Sequence, residues 1–291
     1  MLILIKYFLY RLLFIFKYNE NSNIYEFIIF SKDRPTQLNL LLESLHINVE
    51  GSYVVKVLYA TSDISFKNAY NELEKIHSLN NKISFYKEQK SFKSSLISVI
   101  SNVKSNRIFF LVDDIIFKEK LNLYSLDSIN TNKHVFSLRN GLNLNFSYVV
   151  QKEQSLPVFE KYNNELLSWK INEGELDWAY PLSVDGHLFS FKEVNFWVRY
   201  LEYNAPNTFE MKLQVFNFLY KMKQGLCFNK SIIFNNPCNI VQSEVNNLHG
   251  NLHQGKLLEF WNQGFKINYN TLNNYNNRSV HEEVEFNLIH R

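Results

Sequence analysis

Between residues 25 and 117, four short runs of β-branched and aromatic residues alternate with three stretches of helical period. No other feature narrows the fold as much. The runs cover residues 25–30, 53–61, 82–86 and 107–117, and the last reads RIFFLVDDIIF. A continuous apolar run of this length fits a strand buried on both faces. Between the runs, Leu38, Leu41, Leu42 and Leu45 repeat at helical spacing, with Pro35 and Thr36 as an ordinary helix opening. Phe66, Ala69, Tyr70, Leu73 and Ile76 form a second stripe, and Phe92, Leu96, Val99, Ile100 and Val103 a third. Strand–helix–strand units of this kind build an α/β domain on a mostly parallel sheet with right-handed crossovers.

In open parallel sheets, ligands bind beyond the carboxyl ends of the strands. Three polar clusters fall at those ends: residues 31–34, Ser62 with Asp63, and Asp113 with Asp114. A carboxylate is seldom buried without a partner. The Asp113–Asp114 pair therefore either floors a crevice, where a cation and phosphates neutralise it, or caps a turn and pairs with a lysine. The convergence of three clusters favours the crevice. No GxGxxG motif and no Walker A motif is present, so phosphate recognition has to come from elsewhere. A divalent cation on a carboxylate is the obvious substitute.

The remaining composition mainly excludes. With 31 basic against 28 acidic residues, the net charge of +3 is too small and too spread to argue for nucleic acid. Two cysteines, Cys227 and Cys238, make neither a zinc signature nor a disulfide framework, which fits a cytoplasmic compartment. Residues 1–18 are apolar but broken by Lys6, Arg11 and Lys17, too short in their runs for a membrane span and lacking a cleavage site. Two readings stand for them: a helix lying on a membrane surface, or a helix packed on the protein's own core. Residues 24–291 read as one domain without repeat or linker, with a first half (24–117) and a less regular second half (118–291). In that second half, 135–138 reads as a strand, 145–176 as hairpins or loops, 192–201 and 209–222 as helices, 231–255 as loop, and 257–263 as a last helix.

Several stretches together resemble a GT-A glycosyltransferase of the type that builds bacterial surface polysaccharides. They are FIIFSKDRPTQL at the first strand and loop, YATSD after the second strand, FFLVDDIIF at the fourth, and the later DWAYPLSVDGHLF and APNTFE. The resemblance covers most of residues 24–255. It implies a Rossmann-like, mostly parallel sheet flanked by helices, with an irregular C-terminal acceptor side. It also implies transfer of a sugar from a nucleotide-sugar donor, a UDP-sugar favoured, to a glycan or lipid-linked acceptor at the inner face of a membrane. In this family an Asp-X-Asp element holds Mn2+ or Mg2+ on the donor diphosphate. Here Val112 stands where the first acid often does, which leaves Asp114 as the metal ligand and Asp113 reaching toward the donor. His249 is the implied third metal ligand, which such enzymes often place near the C-terminus, with a plain surface-loop histidine as the alternative.

The same resemblance places Ser31 on the donor and Asp63 at its nucleotide base, although Asp63 reads equally well as a helix N-cap, and Arg34 or Lys93 would give charge-assisted hydrogen bonds to the donor's phosphate oxygens. If the anomeric centre inverts, a general base is needed. Asp185 is the first candidate, with an ordinary Asp-Gly turn as its alternative, and Asp177 and Glu210 follow. Trp178, Tyr180 and His187 are the implied acceptor contacts, with core packing the competing reading for the aromatics. Two other functions remain: a non-catalytic scaffold in a glycan-assembly complex, which the missing first acid at Val112 keeps open, and nucleotidyl transfer, which usually carries glycines after the first strand where this chain has none.

Overall fold

The computed structural model describes residues 2–14, 24–238 and 252–291. A helix, α1 (Leu2–Phe14), precedes strand β1 (Tyr25–Lys32), helix α2 (Pro35–Asn48), strand β2 (Tyr53–Ala60) and helix α3 (Ile64–His77). Then follow β3 (Ile83–Lys87), α4 (Phe92–Ser101) and β4 (Arg107–Val112). The chain turns at Asp113–Asp114 into a separate short strand, β5 (Ile115–Phe117). The apolar run 107–117 is thus two strands with the acids at the corner between them.

The second half supplies β6 (His134–Ser137), the hairpin β7 (Phe159–Lys161) and β8 (Leu166–Lys170), and β9 (His187–Ser190). Helices α5 (Phe191–Tyr200), α6 (Pro206–Leu213) and the single turn α7 (Asn217–Tyr220) come next. Strands β10 (Gln224–Phe228) and β11 (Ile233–Asn235), helix α8 (Gln254–Asn262) and the pair β12 (Phe265–Ile267) and β13 (Leu288–His290) complete the described residues.

Nine strands form one sheet in the order β7-β8-β10-β6-β9-β4-β1-β2-β3. Strands β3, β2, β1 and β4 are mutually parallel, as their connecting helices require. Strand β9 runs antiparallel between β4 and β6, and β10 pairs parallel with β6. The class expected from the alternation of elements is therefore correct, and the first four strands lie within a few residues of their expected positions. Strands β9 to β13 were not expected; β11 lies within residues 231–255, read from the sequence as loop, and its three residues are too few to show a period. β9 begins immediately after the Asp185-Gly186 turn, and its four residues are too few to show a period. The expected helix over 209–222 breaks at Leu213, where the Gln214 amide turns inward to donate to Leu182 O (2.9 Å) and Tyr180 Oη (3.1 Å); a 3-10 turn over Gln214–Phe216 and then α7 follow before β10.

Alternation along the central strands divides the core by faces. Phe27, Ile29, Val55, Val57, Phe109 and Leu111 pack under α2 and α3. Ile28, Phe30, Leu58, Ile108 and Phe110 pack on the opposite side under α4 and α5. Phe110 is fully buried there, stacked on Phe30 at 5.4 Å and edge-on to Phe209 at 5.7 Å. At the far end of the sheet, Glu26 accepts from the backbone N–H of Lys104 (2.6 Å) and Ser105 (3.2 Å) and pairs with Lys56, so a buried acid there is fully partnered. In the described part of residues 1–18, one side of α1 packs on the protein's own core. Tyr7 of α1 is buried between Phe196 and Phe216.

The Phe110 site yields a stability prediction. Phe110→Ala leaves a cavity where β4 meets three other rings and should cost about 3–5 kcal/mol in urea denaturation. A loss below about 1 kcal/mol would mean that this face is not the packed core described.

Candidate active site

The site begins at the C-terminal ends of β1 and β4, which the sheet sets side by side. Beyond β1, Asp33 adopts a left-handed conformation (φ 54°) and accepts from Ser62 N at 2.8 Å, tying the β1 loop to the end of β2. Arg34 follows at the N-cap of α2, with Pro35 fixing the first turn. Its guanidinium Nη1 donates to Asp113 Oδ1 at 2.9 Å and to Asp114 Oδ2 at 3.3 Å. Asp113 Oδ2 accepts from Ser31 Oγ (2.8 Å) and from Lys32 N (3.1 Å). The buried Tyr70 hydroxyl lies 2.5 Å from Ser31 Oγ and accepts from Arg34 N at 3.2 Å. Asn235 of β11 donates to Asp114 Oδ1 at 3.0 Å. The Asp pair therefore stands at a buried turn between β4 and β5, with an arginine rather than a lysine as its partner.

A second arginine gathers acids of the second half of the chain. Arg139, read from the sequence only as part of a turn, donates through Nη1 to Asp185 Oδ2 (3.2 Å) and Ser183 Oγ (3.0 Å), and through Nη2 to Asp177 Oδ1 (3.3 Å). Gln154 also donates to Asp177, at 3.3 Å. Asp185 precedes Gly186 (φ 75°), where an added Cβ would meet Ile233 Cδ1 at 2.4 Å, so glycine is required by both conformation and space. Gly186 N donates to Phe110 O at 2.8 Å, which pins the turn against β4. His281 Nε2 lies 3.8 Å from Asp185 Oδ2, and its Nδ1 is buried without a hydrogen-bond partner. Glu210 accepts from Tyr180 Oη (2.9 Å), Val184 N (2.8 Å) and Ser183 Oγ (3.3 Å).

The electrostatics follow from crowding acids in a dry place. Burial lifts Asp114 to about 7; Arg34 pulls it down, while Asp113 and Asp185 push it up. Burial, reinforced by Asp185, lifts Glu210 to about 7 as well, against the Val184 N–H. Burial lowers the proton affinity of His281, with Asp185 opposing. Burial works against the charge on Arg34, but Asp113 and Asp114 outweigh it and keep the guanidinium charged.

Other expected residues lie elsewhere or do other work. Asp63 caps α3, accepting from Ser65 N and Phe66 N at 2.7 and 3.1 Å, which is the capping alternative of its two readings. Lys93 pairs with Glu202 at 2.8 Å on the surface of α4 rather than with the acids. Trp178 is corrected as an acceptor contact. It is 1% exposed and packed edge-on to Trp169 and Phe159, because the aromatic-rich hairpin closes a local core there. His187 is corrected too: it is the first residue of β9, buried, with Nδ1 accepting from Ser183 N at 3.2 Å, and burial holds it neutral. Tyr180 remains at the edge of the cluster. His249 lies outside the described residues. Among the described residues, no three His, Cys, Asp or Glu side chains stand close enough together to hold a metal ion as they are.

No protein-family model matches the chain. Residues of this chain align at 28% identity with a Bifunctional glycosyltransferase pgtA of Dictyostelium discoideum over 224 residues, 67% of this chain and 28% of that protein. Among solved structures, the S. aureus TarS 1-349 complex with UDP superposes with a TM-score of 0.50 at 10% identity, covering 73% of this chain and 61% of that one. The chain has a glycosyltransferase fold, of the GT-A type. A second TarS 1-349 structure, in complex with UDP-GlcNAc, gives a TM-score of 0.45 at 12% identity over 76% of this chain and 59% of that one. This chain thus spans less than a third of the curated relative and about three fifths of the TarS fragment.

The raised Asp114 pKa carries a pH prediction. A carboxyl with a folded pKa above its unfolded value keeps a proton that the unfolded chain has already released, between about pH 4 and about pH 7. It therefore costs stability as pH rises through that window. Asp114→Asn removes this cost, so the variant should gain on wild type between about pH 5 and about pH 8 in paired denaturant melts. A difference that does not change with pH would show that Asp114 is ionised throughout.

Proposed function

We propose that this chain is a nucleotide-sugar-dependent glycosyltransferase that moves a sugar, from a UDP-sugar by preference, to a glycan or lipid-linked acceptor in surface-polysaccharide assembly. The observation that carries the proposal is the meeting of two clusters at one sheet edge. Arg34 with Asp113 and Asp114 stands at the ends of β1 and β4, and Arg139, just beyond β6, pairs with Asp185 on the turn that enters β9. The UDP held by the TarS structure and the glycosyltransferase activity in the name of the curated relative support the donor class. A position at the inner face of a membrane, where a lipid-linked acceptor is met, belongs to the same reading.

In the mechanism that follows, Arg34 sits where a diphosphate leaving beyond β1 and β4 would develop charge, and it donates charge-assisted hydrogen bonds to phosphate oxygens. Ser31, Tyr70 and Lys32 N hold Asp113 in one orientation, so the donor meets a fixed surface. Asp185 accepts the proton of the attacking acceptor hydroxyl in an inverting transfer, with Arg139 fixing its Oδ2. Tyr180 and Glu210 line the acceptor side.

A divalent cation, Mn2+ or Mg2+, suits the donor chemistry. Asp113, Asp114, Asp177, Asp185 and Glu210 face the two guanidiniums of Arg34 and Arg139, and the His281 Nδ1 is buried without a partner. Asp114 would hold the ion, and the ion when bound offsets the negative charge of the leaving diphosphate.

Two experiments test the proposal. A panel of sugar nucleotides, assayed for hydrolysis with and without Mn2+, should reveal turnover of one donor that Asp114→Ala abolishes. If no sugar nucleotide turns over or raises the melting temperature, the proposal falls. Asp185→Asn should lower kcat by about 10²–10⁴-fold while leaving donor KM within about threefold. An unchanged kcat would move the base to Glu210 or Asp177.

A further inference from the structure

Helix α1 is inside out for a surface helix. Its inward side holds Tyr7, Tyr10 and Arg11, and their polar atoms are tied to the body of the protein. Asn195 donates to Tyr10 Oη at 2.7 Å, Arg11 Nη2 donates to Asn132 Oδ1 at 2.8 Å, and Lys192 Nζ donates to Arg11 O at 2.6 Å. Its outward side is apolar: Leu2, Ile5, Phe8, Leu9, Leu12 and Leu13 occupy one half of the helix, with Leu12 and Leu13 exposing 63% and 76% of their surface. The same surface continues past α1, because Phe216 and Tyr220 pack beneath Tyr7 while their neighbours Phe218 and Met222 point out, Met222 83% exposed. Single exposed hydrophobics are ordinary, but a contiguous set on one anchored helix marks a contact surface.

The charges around this surface decide its occupant. Residues 2–14 and 211–224 carry Lys6, Arg11, Lys212, Lys221 and Lys223 and no Asp or Glu. Between α1 and the turn that follows α7 lies a groove of about 460 Å3, lined by Phe8 and Met222 on its apolar side and by Arg11, Lys133 and Lys223 on its basic side. The acid beneath it, Glu193, is buried and already paired with Lys223 at 3.2 Å. A protein interface core is depleted of lysine, whereas apolar side chains rimmed by cations suit a bilayer with anionic headgroups. Among the described residues no helix is long and apolar enough to cross a membrane, so the contact is with a surface.

We propose that the outer face of α1, together with Phe218 and Met222, docks this protein on an anionic lipid bilayer, with the groove beside Phe8 receiving a lipid phosphate. The proposal deepens the membrane placement in the functional reading above, but it does not depend on sugar transfer. Leu9 and Leu12 enter the acyl boundary, and Lys133 and Lys221 stay at the headgroups.

Vesicle sedimentation of the full chain tests this. The protein should bind phosphatidylglycerol-containing vesicles, bind pure phosphatidylcholine vesicles more weakly, and release as salt rises. The double variant Leu9→Glu/Leu12→Glu should bind at least about tenfold more weakly with an unchanged melting temperature. Lys133→Glu/Lys221→Glu should lose the preference for anionic vesicles. No binding to anionic vesicles, equal binding by the leucine variant, or a concentration-dependent dimer that the leucine variant abolishes would overturn the proposal. Sugar-nucleotide melting shifts on the same preparations separate this outcome from failure of the transferase reading.

Discussion

The site depends on a single charge arrangement: one guanidinium, that of Arg34, pairs with two adjacent carboxylates at the end of a buried strand. Without a cation at that point, Asp113 and Asp114 would each face desolvation that only a proton could relieve. Arg34 reaches them because β1 and β4 are neighbours, although about eighty residues separate the two partners along the chain. Topology and electrostatics therefore presuppose each other. The parallel pairing of β1 with β4 delivers the cation, and the cation permits acids at the strand end. Tyr70, from α3, extends the arrangement by ordering Ser31 and the Arg34 backbone at once.

Arg139 plays the corresponding part for the second half of the chain, collecting Asp177 and Asp185 from segments that share no secondary structure. Two arginines do not balance the acids around them, and the elevated proton affinities of Asp114 and Glu210 express that shortfall. A polyanionic ligand alone would worsen it. Under the proposed function, a donor diphosphate would bind most favourably when positive charge or protons accompany it, which would couple donor affinity to both.

The first half of the fold was legible because its strands and helices are long enough to show their periods. The buried stripes of α2, α3 and α4 lie where the spacing of Leu38–Leu45, Phe66–Leu73 and Phe92–Ile100 put them. In the second half β9 and β11 are four and three residues long, too short for any period, and their places are fixed by pairing with β4 and β5. The strand-end acids were legible for the same reason as the strands. Arg139, His281 and Asn235 were not, since nothing local distinguishes an arginine in a turn or a histidine in a tail. Only tertiary contact gives them their place. Trp178 and His187 misled in the opposite sense: their chemistry suits a sugar site, but the hairpin and β9 bury them.

The turn at Gly186 has a geometric consequence. Asp185 stands on one side of it, and on the other β9 runs without interruption into α5, whose Glu193 and Asn195 hold α1 through Tyr7 and Tyr10. One continuous stretch of chain thus carries the acid at one end and the seat of the terminal helix at the other. The height of the acid above any surface on which α1 rests is a built-in dimension of the fold, independent of linker length, and under the proposed function it sets the height at which an acceptor would present its hydroxyl.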